Sequence, residues 1–111
     1  MVNEDVLLTL LDLLKAKIDI TWSDSATDSK LKEFLESSIA WFIEKTGYVE
    51  FNYLQASTER ELILTRVQYA RENMLDDFSK NYKSEIVAMV NRAKVRKYNA
   101  STQNADTNTS I

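Results

Sequence analysis

The chain contains no proline and a single glycine among its 111 residues. Proline and glycine interrupt helices and build the tight turns of sandwiches and barrels, so their near absence favours long helices joined by short loops. A chain of this length fits one domain, and small domains often gain stability by associating with other chains. We therefore expect an all-α fold, a small bundle of three to four helices with an extended C-terminal arm.

Two helices are predicted in the first half of the chain. Apolar residues recur at i, i+3 and i+4 over residues 3–18, with Asn3 as a plausible N-cap. Cap and turn residues at 21–25 precede a second helix over 26–46, which ends at Gly47, where a left-handed conformation carries no steric penalty. The predicted inner positions are Val6, Leu7, Leu10, Leu11 and Leu14 in the first helix, and Leu31, Phe34, Leu35, Ile39 and Phe42 in the second.

The second half predicts two more helical segments. Residues 48–55 alternate loosely, which allows a short extended segment, and Thr58 with Glu61 matches a capping box at the start of a third helix. Whether the chain bends at 79–81 or runs on as one helix is left open by the pattern. The inner positions are Leu62, Ile63, Val67, Ala70, Met74 and Phe78, followed by Ile86, Met89, Val90 and Ala93. We expect Phe34, Phe42, Val67 and Met74 to form the centre of the core.

Charge is divided unevenly along the chain. Residues 1–79 hold 8 Lys and Arg against 15 Asp and Glu, a net −7, whereas residues 80–98 hold 6 against 1, a net +5. The charge therefore changes sign near residue 80, and we expect a helical core domain over 1–82 and a C-terminal basic helix with a polar tail over 83–111. The polar residues of 99–111 cannot bury enough apolar area to offset their ordering entropy, so we expect the tail to become ordered mainly against a partner.

Composition also narrows the chemistry. With no cysteine and no histidine, disulfides, thiol chemistry and zinc sites with these ligands are excluded. We predict no enzyme activity, no cofactor and no metal, and we interpret Glu72, Asp76 and Asp77 as solvated helix surface because no glycine-containing ligand loop accompanies them. Nothing resembles a secretion signal or a span of roughly 20 apolar residues, so we expect a cytoplasmic chain that does not enter the membrane.

The basic segment has two interpretations. Its cations could contact nucleic-acid phosphates while Tyr82 and Tyr98 stack on bases, or they could stabilise a helix C-terminus and meet an acidic protein surface. The acidic charge of the whole chain favours the second. Among the large apolar residues, Trp41 is predicted in the core or at a subunit boundary, and Trp22, on a connecting loop, at an interface. The cations are Lys80, Lys83, Arg92, Lys94, Arg96 and Lys97.

Taken in order, three stretches resemble the head-to-tail connector proteins (adaptor, or head-completion, proteins) of long-tailed bacteriophages. The first is the leucine-rich run 7–15 leading to Ile18-Asp19-Ile20, and the second runs from Asp24–Asp28 to the helix end Ile43-Glu44-Lys45-Thr46-Gly47-Tyr48. The third is residues 62–70, where the family also places a long helix. The likeness covers about residues 5–98 and consists of apolar spacing with a helix-ending Thr-Gly. The polar tail is longer than the family pattern.

The resemblance implies a structural subunit of the virion neck, assembled in the host bacterial cytoplasm. Such a subunit forms a dodecameric homo-oligomeric ring under the portal protein, extends the channel for double-stranded DNA without reading its sequence, and offers its far side to the stopper or tail. The C-terminal arm would dock onto the portal. The matching portal-binding residues are Lys83, Arg92, Lys94, Arg96, Lys97 and Tyr98, with Trp22 and Trp41 as subunit-interface candidates. The alternative is a small helical regulatory or nucleic-acid-binding protein that uses the basic arm.

Overall fold

The computed structural model describes the backbone of residues 3–109 and the side chains of residues 3–99. Over this range the chain forms five helices and no strand, which confirms the all-α fold and the small helical bundle. The helices are α1 (Glu4–Lys17), α2 (Ser25–Thr46), α3 (Thr58–Arg71), α4 (Leu75–Asn81) and α5 (Lys83–Thr109). The core lies where α2 packs against α1 and α3, with α4 and α5 closing the remaining side.

The ends of α1 and α2 confirm the predicted caps. The Asn3 side chain accepts a hydrogen bond from the Val6 amide at 2.9 Å. Asp24 caps α2 by accepting bonds from the Thr27 hydroxyl at 2.7 Å and the Thr27 amide at 3.0 Å, and these bonds lower the pKa of the Asp24 carboxyl below its ordinary value. Gly47 ends α2 with φ 74°, the left-handed conformation predicted for the only glycine.

The predicted capping box of the third helix is wrong by one residue. Ser57 is the N-cap, because its backbone is extended and its hydroxyl accepts a bond from the Arg60 amide at 3.1 Å. Thr58 is therefore already inside the helix. Glu61 lies one position too far along to reach back to the cap, and its carboxylate pairs instead with Lys17 of α1 at 3.0 Å.

The predicted core position at Met74 is also wrong. α3 ends at Arg71 because Asn73 adopts a left-handed conformation with φ 58°, and the Met74 amide then donates to the carbonyl of Tyr69 at 2.8 Å. This turn places Met74 outside the helical stripe, where 44 % of it is exposed. Asp19 ends α1 in the same way with φ 60°, since Asn and Asp tolerate this conformation better than other side chains.

Residues 47–57 form a loop of turns rather than the extended segment that the alternation allowed. The loop folds back on α2, and its rings surround the fully buried Phe42, with centroid separations of 6.0 Å to Tyr48, 4.8 Å to Phe51 and 5.9 Å to Tyr53. We call these four residues the aromatic cluster. The buried hydroxyls of Tyr48 and Tyr53 have no hydrogen-bond partner among the described residues, and burial raises the pKa of Tyr53.

A single residue, Tyr82, separates α4 from α5. The helical hydrogen bonds continue across it, from the Tyr82 amide to the Phe78 carbonyl at 3.0 Å and from the Ile86 amide to the Tyr82 carbonyl at 2.9 Å. The departure from helical geometry is thus confined to the backbone of Tyr82 (φ −113°, ψ 20°), one residue beyond the stretch that the sequence left open.

The first part of α5 belongs to the core. Met89 and Ala93 are buried as predicted, and this part of the helix packs against α2, α3 and α4. Phe42 and Val67 are fully buried, while Phe34 is half-buried at the edge. A boundary after residue 82 would cut through this core, because Met89 shares one buried cluster with the side chains of α1–α3. A separate arm would have to start after Ala93.

Candidate interaction surfaces

The cations predicted to bind the portal are spread along α5 and differ in their contacts. Lys83 lies in the first turn of α5 and Tyr98 comes fifteen residues later, a separation of roughly 22 Å along a helix. The two ends would therefore contact different parts of a partner surface. The six predicted residues fall into three groups. Lys83 lies in the first turn of α5. Three side chains contact the rest of the protein, namely Arg92, Arg96 and Lys97, and two are exposed, namely Lys94 and Tyr98.

Arg92 is held by the protein itself. Its guanidinium donates to the carboxylate of Glu59 in the first turn of α3, from Nε at 3.0 Å and also from a terminal nitrogen. Glu59 is mostly buried under this contact, whereas about half of the Arg92 side chain is exposed. The pair ties α5 to the start of α3. An acidic partner would have to compete with Glu59 for this arginine.

Arg96 and Lys97 contact the loop that follows α2. The guanidinium carbon of Arg96 lies 5.7 Å from the centroid of the Tyr48 ring, a cation–π arrangement. The Lys97 ammonium lies directly against Gly47 at the C-terminal end of α2, where the helix dipole favours a cation. Both side chains line a cleft of about 630 Å³ between this loop and α5.

Lys94, Val95 and Tyr98 are exposed. Val95 is 57 % and Tyr98 71 % accessible, and Lys94 forms no ion pair with another described side chain. The last buried side chain in the described range is Ala93, yet the helical backbone continues through Thr109. These side chains form a basic and partly apolar surface that the rest of the described protein does not cover.

Trp41 lies at the boundary between core and surface. Its ring packs edge-to-face with the Phe78 ring at a centroid separation of 5.6 Å, and the Arg66 guanidinium lies 5.3 Å from the centre of the Trp41 ring. Arg66 also donates to the hydroxyl of the fully buried Ser38 at 3.0 Å, and partial burial lowers the pKa of Arg66. Sequence patterns missed this Ser38–Arg66 bond, because neither residue type signals burial by itself.

Beside Trp41 lies a shallow groove of about 310 Å³ between α2 and the α4–α5 segment. Its wall includes Trp41, Ile86 and Val87, with lysines at the rim. The second tryptophan, Trp22, lies on the α1–α2 connection and is more than half exposed. Its predicted role at an interface stays a prediction.

In the described part of the chain, no group of three or more acidic residues is arranged to hold a metal ion. Asp76 and Asp77 lie in the first turn of α4, where carboxylates stabilise the positive end of the helix dipole. None of the described helices is both long enough and apolar enough to cross a membrane. A comparison of the chain with family models, curated proteins and solved structures gave no match.

Proposed function

We propose that this chain is a non-enzymatic adaptor subunit of a tailed-phage neck. It would form a ring between the portal and the stopper or tail and extend the DNA channel. The observation that supports a docking role is that every side chain from residue 94 to residue 99 is exposed, on a helix whose backbone continues to Thr109. The resemblance to connector proteins supplies the particular partner.

The exposed part of α5 suits an acidic protein surface that also offers apolar contacts. Val95 and Tyr98 supply apolar area, and Lys94 supplies a cation that no described carboxylate neutralises. Tyrosine is enriched at interface centres because it buries a large ring and keeps one polar group. In this proposal Lys94 and Tyr98 make the first contacts with the portal, and Arg92 keeps α5 attached to the subunit.

Nucleic-acid binding is the weaker alternative. A protein that binds a phosphate backbone presents cations along one continuous surface. Here Arg92 pairs with Glu59, Arg96 lies over Tyr48 and Lys97 lies against Gly47, so three of the six cations already have contacts within the chain. The chain as a whole carries a net charge of −3. No specific contact in the described residues favours this alternative.

For the channel, we propose that carboxylates of residues 1–79 face the DNA. The net −7 over this part of the chain would repel phosphates and let the duplex slide. A cryo-electron microscopy reconstruction of the neck tests this. Lysine and arginine around the lumen, with the carboxylates facing outward, would contradict it.

Docking is tested by co-sedimentation of the purified chain with capsids that carry the portal. Lys94→Glu and Tyr98→Ser should each reduce attachment, because they remove a cation or a ring from the exposed surface. Lys30→Glu, an exposed charge reversal at the start of α2, is the matched control. Attachment equal to the parent in both α5 variants would overturn this docking surface. Attachment lost equally in the control would show a general effect of charge.

Arg92→Glu is unsuitable for this test, although the sequence alone selects it. Reversing Arg92 places a second carboxylate against Glu59 and would loosen α5 from α3. A loss of attachment could then come from the damaged subunit. Circular dichroism should therefore accompany each α5 variant to establish that the helices are intact.

A further inference from the structure

The groove beside Trp41 has a defined chemical character. Its floor is apolar, formed by Trp41, Ile86 and Val87, of which Val87 is half exposed. Two rim lysines, Lys45 and Lys83, are exposed and form no ion pair with another described side chain. One carboxylate, Glu44, also lies at the rim, so the groove keeps a net positive charge within an acidic body.

The floor is also held in place. Trp41 is held by an edge-to-face contact with the Phe78 ring and by the Arg66 guanidinium over its own ring. Arg66 is in turn bound to Ser38. A floor that is already ordered loses little conformational entropy when an apolar side chain is seated on it. The groove therefore suits an apolar side chain with carboxylates on either side of it.

The outer face of α1 offers that combination. Asp5, Leu8 and Asp12 follow one another at i, i+3 and i+7, the spacing of a single helix face. All three are exposed, and Leu8 is 43 % accessible although it is a leucine in a helix whose other face is buried. Neither aspartate forms an ion pair within the described residues. Asp5 also stabilises the N-terminus of α1, but this role does not account for Leu8 or Asp12.

We propose that the groove between α2 and α4–α5 receives the outer face of α1 from a second copy of this chain. Leu8 of one copy would lie on Trp41 and Val87 of the next, with Asp12 near Lys83. The two surfaces lie on different elements, α1 and α2/α4/α5, so each copy offers one surface and accepts the other. A contact of this head-to-tail type generates a closed ring when the rotation between copies closes.

This inference rests on the proposed function, because it assigns the contact between neighbouring subunits of the ring. It also reassigns Lys83 from portal docking to the subunit interface. Charge complementarity favours a second copy over another partner, since the acidic apolar face that the groove requires is present on the same chain. Opposite charges at a contact rim set orientation, while like charges placed opposite each other are unfavourable.

The test is a charge swap measured by sedimentation velocity over a range of concentrations. Lys83→Glu and Asp12→Lys should each weaken self-association by about tenfold, because each places like charges at the contact. The double variant Lys83→Glu/Asp12→Lys should recover most of the parent affinity. Lys30→Glu should behave as the parent, and Val87→Ser should weaken association without reversing any charge. The differences between the charge variants should shrink in 1 M salt.

The remaining outcomes separate this contact from the proposed function. Equal self-association in all charge variants would overturn the contact and leave the ring to another surface. Weakening by both single variants without recovery in the double variant would also overturn it. Unchanged self-association of Lys83→Glu, combined with lost attachment to portal-bearing capsids, would assign the groove to the portal. A parent chain that stays monomeric at every concentration would overturn this contact, and docking onto capsids would then decide the proposed function separately.

Discussion

The aromatic cluster and the last part of α5 differ most sharply in how far their large apolar side chains are buried. Phe42 is fully buried, with the other three rings of the cluster within 6.0 Å of its centroid. Val95 and Tyr98 are more than half exposed on a helix whose backbone continues to Thr109. Both regions carry large apolar side chains at helical or turn positions. The difference teaches that apolar spacing identifies a face, whereas the neighbouring elements decide whether that face becomes core or stays available to a partner.

Three cations of α5 contact α3 and the loop after α2, and we call these contacts the cation seam. Arg92 binds Glu59, Arg96 lies over Tyr48, and Lys97 lies against Gly47. The seam is exposed enough for salt and partners to reach it, since about half of the Arg92 side chain is accessible. The following changes probe the cluster, the seam and the exposed end, in order of expected effect.

Phe42→Ala should lower the free energy of unfolding by about 3–5 kcal/mol, because it leaves a cavity among three rings that cannot all move inward. Urea denaturation followed by circular dichroism measures the change. Tyr98→Ala, which truncates an exposed ring on α5, is the control. An unchanged midpoint for Phe42→Ala would show that the cluster does not hold the fold together.

Arg92→Glu should lower the free energy of unfolding by about 1 kcal/mol, a modest effect because the pair is partly exposed and screened by solvent. The reversed pair Arg92→Glu/Glu59→Arg should recover part of that loss. Lys94→Glu, two positions further along the same helix, should leave stability nearly unchanged. Equal effects of Arg92→Glu and Lys94→Glu would mean that the seam adds no stability.

Tyr53→Phe should raise the free energy of unfolding by roughly 0.5–1 kcal/mol at neutral pH, since it removes a buried hydroxyl that has no partner among the described residues. This gain in the free energy of unfolding should persist at alkaline pH and become larger there. Burial raises the pKa of Tyr53 above the ordinary tyrosine value of about 10, so the parent keeps its stability below that pH and loses stability as pH rises beyond it. The phenylalanine variant lacks this loss. Identical unfolding curves between pH 9 and 12 would contradict the assignment of Tyr53 to the core.

Tyr98→Ser should change the free energy of unfolding by less than about 0.5 kcal/mol, because the ring is 71 % exposed. The same variant should reduce attachment to portal-bearing capsids, so at this residue we expect a loss of docking without a loss of stability. A large loss of stability would instead show that Tyr98 packs within the subunit.

The sequence by itself determined the helices and most of their ends. The absence of proline and the 3.6-residue spacing predicted α1 and α2 to within a residue or two, and the only glycine marked the end of α2. These features are local, since a helix and its caps depend on residues within a few positions of one another. The stop at Asn73 was also local, but it was not predicted, because the apolar stripe continues past it to Met74 and Phe78; the asparagine itself was the available signal.

Only the tertiary structure decided which helix faces are buried and which cationic side chains have a partner within the chain. Met74 fits the helical stripe but is exposed, and Ser38 is buried because Arg66 reaches across from another helix. The six cations of the basic segment look alike in the sequence, yet Arg92 is paired and Lys94 is not. Contacts such as Arg92 with Glu59 join residues 33 positions apart, and no local pattern encodes them, because they depend on how the helices pack.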